Sequence, residues 1–241
     1  MLRLGDDGET MAATPELSVI VPAYNPKDTI WRAINSLAYQ KVDVQIVVVD
    51  DGSTDRSAGA IFSELAARRC FVIRRPQNGG IAAALNTGLR HAMGEWCIKL
   101  DDDDWFEPMC LRRMLDALQD QSEPLRYYAY GDMYQPVQNE THRPGEWWPG
   151  INQKIHLTRY AILWHRSWFE QGLVRYWKPN TMQHYHEDWD FVRQLEARGL
   201  KGLYVPGVTL NYTFNPVGSS LMNQAMQHVQ DIRRVIQERF D

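Results

Sequence analysis

The chain has 241 residues, 44% of them hydrophobic, with 26 Lys and Arg against 30 Asp and Glu and a formal net charge of −4. That length and apolar content suit one sizeable α/β domain with a proper core. The slightly acidic balance, without any Lys/Arg-rich tract, speaks against a nucleic-acid partner.

Residues 1–14 are polar and acidic where a signal peptide would need an apolar core, and read as a disordered tail. Leu17–Ala23 is a short apolar run rich in β-branched residues and reads as a buried strand. Asn25-Pro26-Lys27-Asp28 predicts a helix start, with Asn25 as N-cap and Pro26 in the first turn. Ile30, Ile34 and Leu37 follow at helical spacing. Val44–Val49 is a second buried strand ending in Asp50-Asp51-Gly52-Ser53, and Ser53 or Thr54 can cap a helix over residues 55–68. Phe71–Arg74 is a third strand. Gly79-Gly80 opens an Ala-rich helix to about Met93. Glu95–Leu100 is a fourth strand, and it runs straight into Asp101-Asp102-Asp103-Asp104. Alternating strands and helices predict a mostly parallel sheet flanked by helices, with ligands outside the carboxyl ends of the strands. Pro22–Asn25, Asp50–Thr54 and Asp101–Asp104 all fall at those ends.

The second half is less regular. A helix is predicted over Pro108–Leu118, a strand over Arg126–Met133 and a long loop over Gln135–Gln153. A helix follows over Glu187–Arg198, then strands over Leu203–Val205 and Val208–Phe214 and an amphipathic helix over Leu221–Phe240. Cys70, Cys97 and Cys110 lie far apart without a CxxC pair, as expected of reduced thiols in a cytoplasmic chain. No apolar stretch approaches the roughly 20 residues of a membrane span, and peripheral attachment at a membrane stays open.

Four successive carboxylates at a strand end repel one another and need compensation. In an extended chain Asp101 and Asp103 point to one side and Asp102 to the other. A hard divalent cation, Mg²⁺ or Mn²⁺, fits such oxygen donors and shares them with substrate phosphates. The alternative is a solvated acidic turn whose Asp104 or Glu107 caps the next helix. Asp51 is either part of a turn or a recognition group for a base or ribose. Asn78-Gly79-Gly80 is either a turn or a place where helix-start amides meet phosphate.

Four segments stand in register: Ser18-Val-Ile-Val-Pro-Ala-Tyr-Asn25, Val47-Val-Val-Asp-Asp-Gly-Ser-Thr-Asp55, Asn78-Gly-Gly-Ile-Ala-Ala-Ala-Leu-Asn-Thr-Gly88 and Gly94-Glu-Trp-Cys-Ile-Lys-Leu-Asp-Asp-Asp-Asp104. Together they resemble the nucleotide-binding half of family 2 glycosyltransferases, which have the Rossmann-like GT-A fold. The resemblance implies a single domain over residues 15–241, with a nucleotide-sugar half (17–108), an acceptor-side half (109–220) and a C-terminal helix (221–241). It implies that Pro22, Ala23, Tyr24 and Asn25 border the base and ribose, that Asp51 contacts a uracil or equivalent base, and that Asn78 and Gly79 lie at the donor. Asp101 and Asp103 match the DxD pair, Asp101 near ribose and metal and Asp103 as the main metal ligand, with Asp102 between them. Many relatives carry a basic residue where Leu85 stands.

His186-Glu187-Asp188-Trp189-Asp190-Phe191 resembles the family's "ED" segment, which implies Asp188 as the catalytic base. Inversion at the anomeric carbon requires a base on the face opposite the leaving diphosphate. Glu187 and Trp189 would flank the acceptor. Trp147-Trp148 either stacks on a sugar or anchors the long loop. His184 and His186 are candidate extra ligands, and Asn215 stands where some relatives carry a late His. The expected function is inverting transfer from a nucleotide-diphospho-sugar, UDP-linked, to a glycan, lipid-carrier or other hydroxyl acceptor. A metal-dependent nucleotidyltransferase and a non-catalytic sugar-nucleotide or glycan binding module are the rivals.

Overall fold

The computed structural model describes residues 3–4, 10–11, 14–149, 151, 161–176, 187–213, 234–235 and 237–239. β1 (Arg3–Leu4) and β2 (Thr10–Met11) form an antiparallel pair of their own within the segment read as a tail. Among the described residues the main sheet has nine strands. Its first half follows strict alternation: β3 (Leu17–Ala23), α1 (Thr29–Leu37), β4 (Val44–Asp50), α2 (Arg56–Ala67), β5 (Phe71–Arg74), α3 (Ile81–Leu89) and β6 (Trp96–Lys99). These four strands lie in the order β5-β4-β3-β6, all parallel.

The second half supplies β7 (Trp105–Phe106), α4 (Cys110–Gln119), β8 (Tyr127–Gln135), β9 (Glu140–His142), β10 (Ile162–His165), α5 (Ser167–Glu170), α6 (Glu187–Ala197) and β11 (Lys201–Asn211). β10 runs antiparallel to β6 and joins the halves, and the order continues β10-β8-β11-β7. β8 and β11 are parallel, whereas β10 with β8, β7 with β11 and β9 with β8 are antiparallel. The sheet is therefore parallel where strands and helices alternate and mixed beyond β6.

Every residue of β3 is buried. Successive side chains of a strand face opposite sides, so a strand covered on both faces reads as an unbroken apolar run. Val19 and Val21 join Ile30, Leu65, Leu111 and Leu115 in one core. Ile20 joins Val47, Val49, Leu85, Phe191 and Leu195 in the other. α3 lies so close to the sheet that a Cβ at Gly88 would come 2.4 Å from Ile20 Cγ2. Leu85 is fully buried in that second core, which accounts for an apolar residue there.

Several expected boundaries shift. α1 begins at Thr29 with Asp28 at its N-cap, not at Asn25. α3 ends at Leu89, short of Met93. The two strands expected around Pro206-Gly207 are one, β11, whose register with β8 slips there because Pro lacks a donor. The long loop carries the short hairpin strand β9. Of the expected helix 221–240, residues 234–235 and 237–239 are helical, and the rest lies outside the described residues. No helix among the described residues is long and apolar enough to cross a membrane.

Candidate active site

The carboxyl ends of β3 and β4 meet in one knot. Pro22 and Ala23 still belong to the ladder, opposite Val49 and Asp50, and Tyr24 beyond them is 45% exposed. Asn25 adopts a left-handed backbone with φ of 50°, a conformation Asn tolerates better than most residues. Its Oδ1 accepts the backbone N–H groups of Thr54 and Asp55, each at 2.8 Å. Its own N–H donates to Ser53 Oγ at 2.8 Å. Asn25 thus ties two strand-end loops together and caps no helix.

Asp50 is turned inward and accepts the Ser53 N–H at 2.7 Å. Asp51 is also buried, and its carboxylate is committed to three donors: the Arg75 guanidinium, the Gly79 N–H and the Gly80 N–H at 2.7 Å. The anion at the start of α3 is therefore the protein's own Asp51. The Asn78–Gly80 amides, read as either a turn or a phosphate contact, here meet an internal carboxylate that satisfies the unpaired helix-start donors. Asn78 Oδ1 adds a bond from the Gly80 N–H at 3.0 Å. Gly52 allows this approach, since a Cβ there would lie 2.6 Å from the Gln77 carbonyl carbon.

Asp101–Asp104 is a turn closed by the Asp104 N–H on the Asp101 carbonyl at 3.1 Å. The alternation expected of an extended run does not hold, because the ladder to β3 ends at Leu100, whose N–H donates to Ile20. Neither Asp104 nor Glu107 caps α4 with its side chain. Asp104 is 2% exposed and accepts the Thr213 N–H at 2.7 Å, while Glu107 accepts from Asn211 Nδ2. Thr213 Oγ1 donates to the Asp103 carbonyl at 2.6 Å, and Arg32 reaches the same carbonyl at 3.2 Å. The Arg32 guanidinium lies 3.6 Å above the Trp105 ring, a cation–π contact that staples α1 to the turn.

Burial, then repulsion from Asp103 and Asp101, pushes the Asp102 carboxyl up to about 7. Burial, then Asp101, pushes Asp103 up to about 6. Asp101 Oδ1 is buried without a hydrogen-bond partner, a costly state for a carboxylate oxygen that a cation or hydroxyl would relieve. These donors fit Mn²⁺ or Mg²⁺ in kind. Among the described residues no group of three His, Cys, Asp or Glu side chains is arranged to hold a metal unaided.

Within electrostatic reach of Lys99 is the start of α6, with Glu187, Asp188 and Asp190 in its first turn, where acids complement the helix dipole. Asp188 Oδ1 accepts the Trp189 N–H at 2.7 Å. Asp190 is fully buried and accepts from Gln194 and Arg239. Lys99 Nζ lies 3.2 Å from Asp101 Oδ2. Burial works against its charge, but Asp101, Asp188 and Glu187 outweigh it and hold Lys99 well above the usual lysine range. Burial, followed by the Asp188 charge, lifts Glu187 to about 8, with Lys99 pulling the other way.

The backbone of Tyr176 is gripped on both sides by Asn86, whose Nδ2 donates to its carbonyl at 2.5 Å and whose Oδ1 accepts its N–H at 3.0 Å. Gln194 grips the neighbouring Arg175 in the same way, and the Tyr176 ring stacks on Phe191 with centroids 4.4 Å apart. α3, this segment and α6 are thereby joined.

The predicted residues divide. Asp101, Glu187 and Asp188 gather around Lys99, with Asp102 and Asp103 in the adjoining turn, and Pro22–Asn25 and Asp51 form the neighbouring strand-end knot. Trp189, expected on the acceptor side, is 5% exposed and packs inside the fold. Trp147 covers Gly202, where a Cβ would lie 2.5 Å from its ring, and so anchors the long loop; Trp148 is 38% exposed. His184, His186 and Asn215 lie outside the described residues. Sequence reasoning missed Lys99, Arg75 and Thr213. Of these Lys99 was within reach, two residues before Asp101 at the end of the predicted strand Glu95–Leu100.

A sheet that brings strand-end carboxylates to one edge, opposite an acidic helix start, is the GT-A architecture of nucleotide-sugar transferases. Residues 18–181 match the profile of glycosyl transferase family 2, and the chain belongs to that family. The succinoglycan biosynthesis protein ExoO of Rhizobium meliloti is 42% identical over 103 residues, covering 42% of this chain and 29% of that protein. The putative glycosyltransferase EpsH of Bacillus subtilis is 32% identical over 111 residues, covering 46% of this chain and 32% of that one. The matched stretch is thus less than a third of either relative's length. The crystal structure of S. aureus TarS 1-349 in complex with UDP-GlcNAc superposes with a TM-score of 0.73 at 19% identity, covering 92% of this chain and 65% of that one.

Proposed function

We propose that this chain is an inverting glycosyltransferase that moves a sugar from a UDP-linked donor to an acceptor hydroxyl of a glycan, lipid carrier or other molecule. The observation that carries this reading is the contact of the donor-side Asp101 with Lys99 at 3.2 Å, an ammonium that the base candidate Asp188 also acts on. Donor-holding and proton-accepting groups thereby lie within electrostatic reach of one another, as a displacement at one carbon requires.

Asp188 takes the proton of the acceptor hydroxyl. The acceptor oxygen then bonds to the anomeric carbon from the face opposite the diphosphate. The bond from that carbon to the diphosphate oxygen breaks, and its electron pair leaves with the UDP. Asp103 and Asp101 would hold a Mn²⁺ or Mg²⁺, which when bound neutralises charge on the departing diphosphate. Asp51, whose oxygens are committed to Arg75, Gly79 and Gly80, serves the donor by fixing the loop over residues 75–80. The uridine donor is favoured by the likeness to a fold solved with UDP-GlcNAc. A lipid-carrier acceptor would bring the protein to a membrane surface as a peripheral component.

The test is Asp188→Asn. Transfer should fall by about 10² or more, the usual worth of a positioned base, while UDP-sugar affinity measured by calorimetry stays within about threefold. Near wild-type transfer by this variant would remove Asp188 as the base.

A further inference from the structure

We propose that Lys99 is a positioning residue: paired with Asp101 Oδ2, it holds that carboxylate in one orientation, and as a resident counter-cation it weakens divalent-cation binding until the donor's diphosphate adds its charge. This rests on the donor and cation reading given above.

Two observations meet at Asp101. One oxygen is occupied by the Lys99 ammonium at 3.2 Å, with the two side chains 19% and 28% exposed. The other is buried and has no hydrogen-bond partner. A carboxylate held by one oxygen cannot swing freely, so the second oxygen keeps one direction. The charges of Asp188 and Glu187 also act on the ammonium. It lies on β6, so its anchor is the ladder to β3, where Lys99 stands opposite Ile20.

The charge has a second effect. A cation approaching Asp101 and Asp103 in the free protein meets acids already partly neutralised by Lys99. A bound diphosphate adds negative charge and restores the attraction. Coulomb's law sets the scale: a divalent ion about 5 Å from a monovalent one loses about tenfold or more in affinity even when screened as in water. By linkage, the nucleotide must gain from the cation the same factor that the cation gains from the nucleotide.

The experiment titrates the full chain with Mn²⁺, reading free Mn²⁺ by electron paramagnetic resonance with and without UDP. In Lys99→Met, Mn²⁺ should bind about tenfold or more tighter without UDP than in wild type. Transfer should fall, because Asp101 is no longer held. Lys99→Arg keeps the charge and should leave nucleotide-free Mn²⁺ affinity within about twofold of wild type. If Lys99→Met does not fold, Lys99→Gln carries the same expectation. Nucleotide-free binding no tighter than wild type in the charge-removing variant overturns the role of Lys99 while leaving the donor reading intact. Absence of Mn²⁺ binding by wild type even with UDP overturns both.

Discussion

Asp51→Ala tests whether the carboxylate at the end of β4 is a structural anion. Its side chain is 5% exposed and pairs with Arg75, itself 20% exposed. Removal strands the Gly79 and Gly80 amides at the start of α3 and leaves Arg75 without its counter-charge. Hydrogen bonds to a charged group contribute about 1.5–3 kcal/mol each, but the glycine loop can admit water, which recovers part of the loss. The expected destabilisation is about 2–4 kcal/mol. For a chain of this size that corresponds to a fall in Tm of about 5–15 °C. Urea denaturation at neutral pH measures it, and hydrogen exchange at the Gly80 amide shows whether the loop loosens. A double-mutant cycle with Arg75→Ala should give a coupling of about 1 kcal/mol or more, since the two side chains act as a pair. A loss under about 0.5 kcal/mol, within the range of an ordinary surface substitution, would refute the anchoring role.

Asn86→Ala removes both grips on the Tyr176 backbone and should cost about 1–3 kcal/mol in chemical denaturation; a neutral result would mean that the Phe191 stack alone holds the segment. Stability should also depend on pH through Asp102 and Asp103, raised from 3.8 to about 7 and about 6. Between about pH 4 and 7 the folded chain binds more protons at these groups than the unfolded chain, so they favour folding as pH falls and oppose it once ionised. The double variant Asp102→Asn, Asp103→Asn should therefore be more stable than wild type at pH 8 without divalent cations, with the difference shrinking towards pH 5. A difference that does not change with pH would contradict the assignment.

The parallel half was legible because buried parallel strands write themselves as apolar runs. Leu17–Ala23 and Val44–Asp50 need no distant information to be recognised as strands. Asn25 misled because an Asn-Pro pair suits a helix start, whereas its left-handed backbone depends on Ser53–Asp55 arriving from another strand. Asp51 could be placed at the strand end, but its donors come from a loop that folds back from residues 75–80. β10 carries no signal of its own, since four residues are too few for a period to register and its partners β6 and β8 are remote in sequence. The acidic turn was recognisable by composition, but not its shape, which is set by where the β3 ladder ends and by Thr213 more than a hundred residues onward.

The ladder joining the two halves of the sheet is two pairs long, Cys97 with Trp164 and Trp96 with His165. It is reinforced at the amino end of β6, where Arg166 donates to the Gly94 and Glu95 carbonyls at 2.7 and 2.9 Å. Lys99 and Asp101 lie past the opposite end of that ladder. The carboxylate end is tied separately, by Thr213 on Asp103 and Asp104 and by Arg32 of α1, which reaches both Asp103 and Thr213. Pinned at both ends, the half-sheets have little freedom to rotate about each other, which fixes the span across which donor and acceptor have to meet.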